Sequence, residues 1–246
     1  ENPLEINVVN HYKNISTNSK ERYPITQRVK VFNTSCCPPN LNRVLASLEK
    51  YIYYVKDDVY YVNQYCMSEY KDGDIRIVQE TDYPVGGVIK IKAEGISHLA
   101  LRIPSWCDKF EINAEYTLKD GYAYVEKPTE IELCIDMKPK LYSANAEVLY
   151  CDNKVALMLG PVVYCAEGVD NGVNLHRLYL SRNINAKLSY NDEYKLNTIE
   201  VDGYIRNSSE RLYEPLSDNF EESRIKLIPY NAFANRGETD MMVWMN

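Results

Sequence analysis

Ile131-Glu132-Leu133-Cys134-Ile135-Asp136-Met137 sets an apolar residue at every second place, and Ile89-Lys90-Ile91-Lys92-Ala93 repeats the pattern. Successive side chains of a strand point to opposite faces, so a period of two predicts a strand buried on one side and wet on the other. Cys134 falls on the face of Glu132 and Asp136, which places it at the surface or in a shallow contact. Working outward, 59–66 is aromatic and β-branched, and 75–78, 99–103 and 122–126 are further strand candidates. Turn signals separate them at Lys71-Asp72-Gly73-Asp74, Gly86-Gly87 and Lys119-Asp120-Gly121. Short strands at this spacing predict an antiparallel β-sandwich over 57–140.

The pattern pauses around 139–145 and a second run follows. Strands are predicted at 147–151, 155–159, 162–165, 175–180, 198–201, 224–228 and 241–245. Asp170-Asn171-Gly172 is a tight-turn signature. The stretch 181–197 is polar and ambiguous, and 207–222 reads as a long acidic loop. A second sandwich over 141–246 follows, so the expected fold class is mainly β.

One segment has a different period. Leu41, Val44, Leu45, Leu48, Ile52 and Val55 recur at steps of three and four, which predicts a helix over 41–55 with one apolar face. That face must dock on something, within this chain or outside it. Residues 1–35 show no clean period: 10–22 is polar loop, His11 reads as a solvated loop histidine, and 27–32 is a short extended lead-in.

Composition bounds the function. With 246 residues, 45% hydrophobic and 26% charged, the chain can bury one large core or two ordinary ones. A net charge of −7 argues against nucleic acid or an anionic membrane as partner. No apolar run approaches the roughly 20 residues that a membrane helix needs. Seven cysteines, an odd number scattered singly apart from one pair, do not make a disulfide scaffold. That usage favours a reducing, cytoplasmic setting, although the chain opens on Glu1 and its natural start is not visible. Tyrosine, at 22 against four phenylalanines and two tryptophans, fits strand propensity first and sugar binding second.

The one cysteine pair stands in Asn33-Thr34-Ser35-Cys36-Cys37-Pro38-Pro39-Asn40. Neighbouring Cα atoms lie about 3.8 Å apart, too close for an ordinary disulfide. Two prolines stiffen the turn, Asn40 is a good N-cap, and a helix N-terminus favours thiolate over thiol. Preorganised thiolates suit a soft metal such as zinc, a nucleophile, or both. Packing is the plainer alternative, since free cysteine is often a small buried apolar residue.

Ser35-Cys36-Cys37-Pro38-Pro39-Asn40 with the helix behind it resembles glycoside hydrolase family 127, the β-L-arabinofuranosidase family and its relatives. Leu101-Arg102-Ile103-Pro104-Ser105-Trp106, Leu159-Gly160-Pro161-Val162-Val163-Tyr164-Cys165 and Ile228-Pro229-Tyr230-Asn231-Ala232-Phe233-Ala234-Asn235-Arg236-Gly237 are similar to later segments of that family, in order. The resemblance implies an α/α-barrel catalytic domain followed by two β-sandwiches. It also implies a zinc held by one glutamate and three cysteines. Carried over, Cys36 is the nucleophile and a zinc ligand, and Cys37 a second zinc ligand. The implied reaction is hydrolysis of a β-L-arabinofuranoside or related sugar with retention.

The departure from that pattern is large. The family's remaining zinc ligands and its acid/base glutamate lie on helices upstream of the paired cysteines, and only 35 residues precede Cys36 here, without a Glu-x-Cys. The expectation is therefore a C-terminal portion: 1–56 the end of the barrel, 57–140 and 141–246 the two sandwiches. Zinc and carbohydrate substrate then belong to the intact enzyme, zinc can be absent from this piece, and the chain alone is expected to be inactive. Its partners would be the missing upstream catalytic portion and, through uncovered apolar surface, a second copy of itself. The competing reading is a non-catalytic carbohydrate-binding or structural β-sandwich module, with Trp106 as a stacking platform or a core residue.

Overall fold

A computed structural model describes residues 37–246, except positions 173, 210, 212, 214, 218 and 238, and gives Cys37 by its backbone alone. The expectations for 1–35 lie outside the described residues. Two compact units meet between Lys138 and Pro139. The second therefore begins at 139, where the sequence pattern suggested 141. Among the described residues no helix is long and apolar enough to cross a membrane.

The first unit opens with α1 (Cys37–Leu45) and α2 (Glu49–Ile52). Its strands are β1 (Tyr53–Lys56), β2 (Val59–Val62), β3 (Ser68–Asp72), β4 (Ile75–Thr81) and β5 (Val88–Glu94). They continue with β6 (His98–Arg102), β7 (Phe110–Ile112), β8 (Thr117–Lys119), β9 (Tyr122–Glu126) and β10 (Glu130–Ile135). Two five-stranded sheets result, in the orders β1-β2-β6-β9-β8 and β3-β4-β5-β10-β7. Burial alternates through all seven residues of β5, as the sequence pattern predicts. Val62, Leu99 and Leu101 from one sheet meet Ile77, Ile89, Ile91 and Leu133 from the other in a single core. Each such side chain contributes about 1.5–3 kcal/mol by leaving water. One pair departs from the antiparallel expectation: β2 and β6 run parallel, Val59 opposite His98. The three strands of the opposite sheet that intervene supply the crossover that parallel neighbours require.

The helix predicted over 41–55 is broken in two and ends early. Ser47 Oγ donates to the Arg43 carbonyl at 2.8 Å, and the backbone bonds of Ser47 and Leu48 tighten to three-residue steps, which stops the α-helical ladder. After α2 the chain is extended, and β1 pairs with β2 from Tyr53 opposite Val62 to Lys56 opposite Val59. Asp57 and Asp58 take φ of 51° and 59°, the left-handed pair a two-residue hairpin needs. Tyr53-Tyr54-Val55 is good strand sequence despite its helical spacing, and pairing with β2 decides between them. Residues 53–56, assigned from sequence to the barrel remnant, are thus hydrogen-bonded into the first sandwich. At the far edge, Gly87 accepts from the Ile135 N–H at 2.8 Å. A Cβ on Gly87 would lie 2.0 Å from the Ile135 carbonyl oxygen, so only glycine permits this approach.

The second unit holds β11 (Pro139–Ser143), β12 (Val155–Leu159), β13 (Val162–Glu167) and β14 (Leu178–Leu180). β15 (Ala186–Asn191), β16 (Leu196–Arg206), β17 (Phe220–Pro229) and β18 (Met241–Met242) complete it. Hydrogen bonding runs unbroken through all eight strands: β13 leaves β12 after Val163 and takes up β17 from Tyr164. Two local expectations fail. The strand predicted at 147–151 is a 3-10 turn, Leu149–Cys151. Asn145 Oδ1 accepts from the Glu147 N–H at 3.0 Å, a side-chain turn that competes with extended pairing. The tight turn at Asp170-Asn171-Gly172 is instead one helical turn, α3 (Gly168–Asn171), closed by Gly172 at φ 82°.

A charged cluster pins the C-terminal segment to this sheet. Glu167 is fully buried at the end of β13, where its carboxylate accepts from the Ala234 N–H at 2.6 Å and from Arg236. Arg236 also donates to Asp170, which receives Lys226 Nζ at 2.9 Å as well. Burial pushes the Asp170 carboxyl up, but hydrogen bonds from Arg236 and Lys226 outweigh it and hold the group below its ordinary value of 3.8. Removing one partner from such a pair leaves a buried charge uncompensated. We expect Arg236→Ala to lower the unfolding free energy by about 3 kcal/mol in a urea titration; a loss below about 0.5 kcal/mol would mean that the carboxylates find another partner. The pH dependence has a fixed sign. Because the folded-state pKa of Asp170 is depressed, its stabilisation is complete above the ordinary aspartate value and is lost as pH falls below it toward the folded value. Unfolding midpoints measured from pH 6 downward should therefore show a steeper acid loss in the native chain than in Asp170→Asn.

Candidate functional site

Of the two cysteines singled out by sequence, Cys36 lies outside the described residues and Cys37 is the first residue of α1. Pro38 and Pro39 occupy the first helical turn. The N–H groups there have no intrahelical partner, so proline loses nothing, and its fixed φ is already helical. The helix therefore starts ahead of Asn40, which is not the N-cap expected from sequence; its Oδ1 accepts from Arg43 Nη2 at 3.2 Å within the helix. The aliphatic residues of α1 are open to water: Leu41 is 61% exposed and Leu45 60%, with Val44 and, just past the helix, Leu48 also exposed.

The remaining cysteines do not supply a reactive centre. Cys66, Cys107, Cys134 and Cys151 are half-buried and Cys165 is fully buried. Cys107 packs on the first core, and its Sγ donates to the Lys109 carbonyl at 3.1 Å. Cys134 sits beside Glu132 at the surface, as its strand register predicts. Burial and then the Glu132 charge raise its pKa, the opposite of what a nucleophilic thiol needs. Trp106 packs against the first core as well. Among the described residues no three histidine, cysteine, aspartate or glutamate side chains gather as a metal site. Asp170 is held ionised by its cations, so it is a poor proton donor at neutral pH.

A second surface was read from sequence only as strand-forming tyrosine. On the outer face of the β1-β2-β6-β9-β8 sheet, Tyr54 stands opposite Tyr61, Tyr61 opposite Ala100, and Ala100 opposite Tyr124. The Tyr61 ring lies 5.9 Å from Tyr54, 5.3 Å from Tyr122 and 6.1 Å from Tyr124, centroid to centroid. Ala100 beneath is fully buried. Beside this row opens a groove of about 780 Å³ whose lining includes Tyr61, Tyr124, Tyr116, His98 and Glu126. The available signal was the i, i+2 spacing of Tyr122 and Tyr124, which puts both on one face.

Comparisons with known proteins show which family the chain resembles. The sequence profile described as "Beta-L-arabinofuranosidase, GH127 middle domain" matches 59–137, and that of the "Glycoside hydrolase family 127 C-terminal domain" matches 139–246. A non-reducing end β-L-arabinofuranosidase of Bifidobacterium longum subsp. longum is 28% identical over 92% of this chain and 39% of its own length. The crystal structure of a GH127 β-L-arabinofuranosidase from Geobacillus stearothermophilus T6 superposes with a TM-score of 0.82 at 32% identity, covering 94% of this chain and 41% of that one. A structure described as a GH127 β-arabinofuranosidase gives 0.74 at 31% identity, covering 89% and 39%. The chain thus spans about two fifths of the length of these relatives.

Proposed function

The chain belongs to glycoside hydrolase family 127, and from that membership we propose that it is the C-terminal portion of a retaining β-L-arabinofuranosidase-like enzyme. The observation that carries the reading is the unbroken order of parts along the sequence: the Cys36-Cys37-Pro38-Pro39 motif, then the family's middle and C-terminal domains. Cys36 is the nucleophile and, with Cys37, ligates zinc. Two adjacent thiolates are the soft donors zinc prefers, but they are half of a tetrahedral shell. No further donors gather among the described residues, so the other ligands come from an upstream portion. When bound, the metal supplies positive charge that keeps thiols deprotonated near neutral pH.

The chain's own part in the reaction is the sulfur. The Cys36 thiolate attacks the anomeric carbon as the bond to the leaving oxygen breaks, and a carboxylic acid of the upstream portion protonates that oxygen. Water then attacks the same carbon, the sulfur leaves, and the carboxylate takes the water's proton, so the configuration is retained. The start of α1 contributes as well, since the positive end of a helix favours anions placed there. The uncovered face of Leu41, Val44, Leu45 and Leu48 is where the upstream portion docks; in its absence the same face drives self-association.

Three measurements test this. Turnover of an aryl β-L-arabinofuranoside should be absent for the chain alone and present when the upstream portion is joined to it. In the joined protein Cys36→Ser should lower kcat at least about a thousand-fold and Cys37→Ser should reduce bound zinc. Full turnover by Cys36→Ser, or by the chain alone, would defeat the reading. Light scattering should show concentration-dependent self-association of the chain, relieved by Leu41→Glu with Leu45→Glu; a monomer at all concentrations would count against an uncovered docking face.

A further inference from the structure

We propose that the groove on the outer face of the β1-β2-β6-β9-β8 sheet binds a neutral oligosaccharide. Its lining is aromatic and braced. Tyr61 and Tyr124 line it together, their rings 6.1 Å apart at 86°. Tyr122 supports Tyr61 edge-on at 5.3 Å and 90°, and is itself anchored by its hydroxyl, which donates to Asn63 Oδ1 at 2.8 Å. Tyr116 also lines the groove, its ring 5.7 Å from Phe110. Rings fixed before a ligand arrives spare the complex their ordering entropy.

The chemistry of the lining selects the ligand. A sugar ring presents an apolar C–H face and a border of hydroxyls, which tyrosine matches with a ring face and a phenol. His98 and Glu126 are cross-strand partners on β6 and β9, and both line the groove with Lys119 and Glu115. These groups donate and accept hydrogen bonds as hydroxyls require. Two carboxylates against one lysine give no cationic field, which disfavours a phosphate or nucleic acid. Charges lining the groove disfavour a folded protein partner, whose interface core is depleted of Lys, Glu and Asp. From β1 to β8 the face spans four strand spacings, roughly 19 Å, room for several linked sugars. Such a site would hold polymeric substrate near the catalytic portion and raise its local concentration.

That the sugars are arabinofuranosyl rests on the proposed function; a preference for a neutral glycan does not. The chain is titrated calorimetrically with arabinofuranosyl oligosaccharides and, in parallel, with xylo-, manno- and cello-oligosaccharides. Arabinofuranosyl ligands should bind, and Tyr61→Ala and Tyr124→Ala should each weaken them about tenfold or more. Lys119→Ala, an edge change that leaves every ring in place, should weaken them severalfold and guards against loss by misfolding, which circular dichroism checks. Binding of a different neutral glycan with the same tyrosine dependence supports the groove and overturns only the arabinofuranosyl assignment. Binding that survives both tyrosine substitutions, or no binding of any glycan by the folded chain at millimolar ligand, overturns the proposal.

Discussion

The phenol of Tyr53 crosses the gap between the two sheets of the first unit. It hydrogen-bonds Ser68 Oγ at 2.9 Å and accepts from Gln79 Nε2 at 3.0 Å. Gln79 is 1% exposed, and an amide that deep costs free energy unless its donors are met. Burial raises the Tyr53 pKa above its ordinary value, so the phenol stays neutral and keeps its proton to share. With Tyr53 committed inward, the period of two sends Tyr54 outward; a slip of one residue would reverse every side chain of β1. The end of the helix, the β1–β2 hairpin and the outer tyrosine row all follow from that commitment.

Two surfaces are left over, and they differ in kind. The α1 face is aliphatic, with Leu41 and Leu45 more than half exposed, and aliphatic area gains most by burial against other protein. The tyrosine groove mixes ring faces with hydroxyl, imidazole and carboxylate groups, and polar groups of that sort need partners that return hydrogen bonds. One surface asks for a protein core and the other for a sugar.

The second unit contributes rigidity. Glu167, fully buried, is satisfied by the backbone of Ala234 and by Arg236, so the segment after β17 cannot lift away without stranding a charge. The same cations keep Asp170 ionised, which suits a tether and not a proton donor.

Sequence by itself determined the strands whose alternation is clean. β5 and β10 were legible because isoleucine and leucine at every second place admit one register against an apolar partner, and Cys134 went to the surface with them. The motifs at Cys36-Cys37-Pro38-Pro39 and 228–237 were enough to place the family, since each is specific and they fall in order. Where the chain had two local answers, tertiary structure chose. Tyr53-Tyr54-Val55 satisfies both a helical and an extended spacing, and only β2 alongside it, with Gln79 below, made it a strand. The 147–151 segment has strand composition, but Asn145 folded it into a turn. Glu167 and Arg236 lie 69 residues apart, and Tyr54, Tyr61 and Tyr124 stand on three different strands. Their meetings depend on sheet order, which no local pattern encodes, and so the pinned cluster and the aromatic groove became visible only in three dimensions.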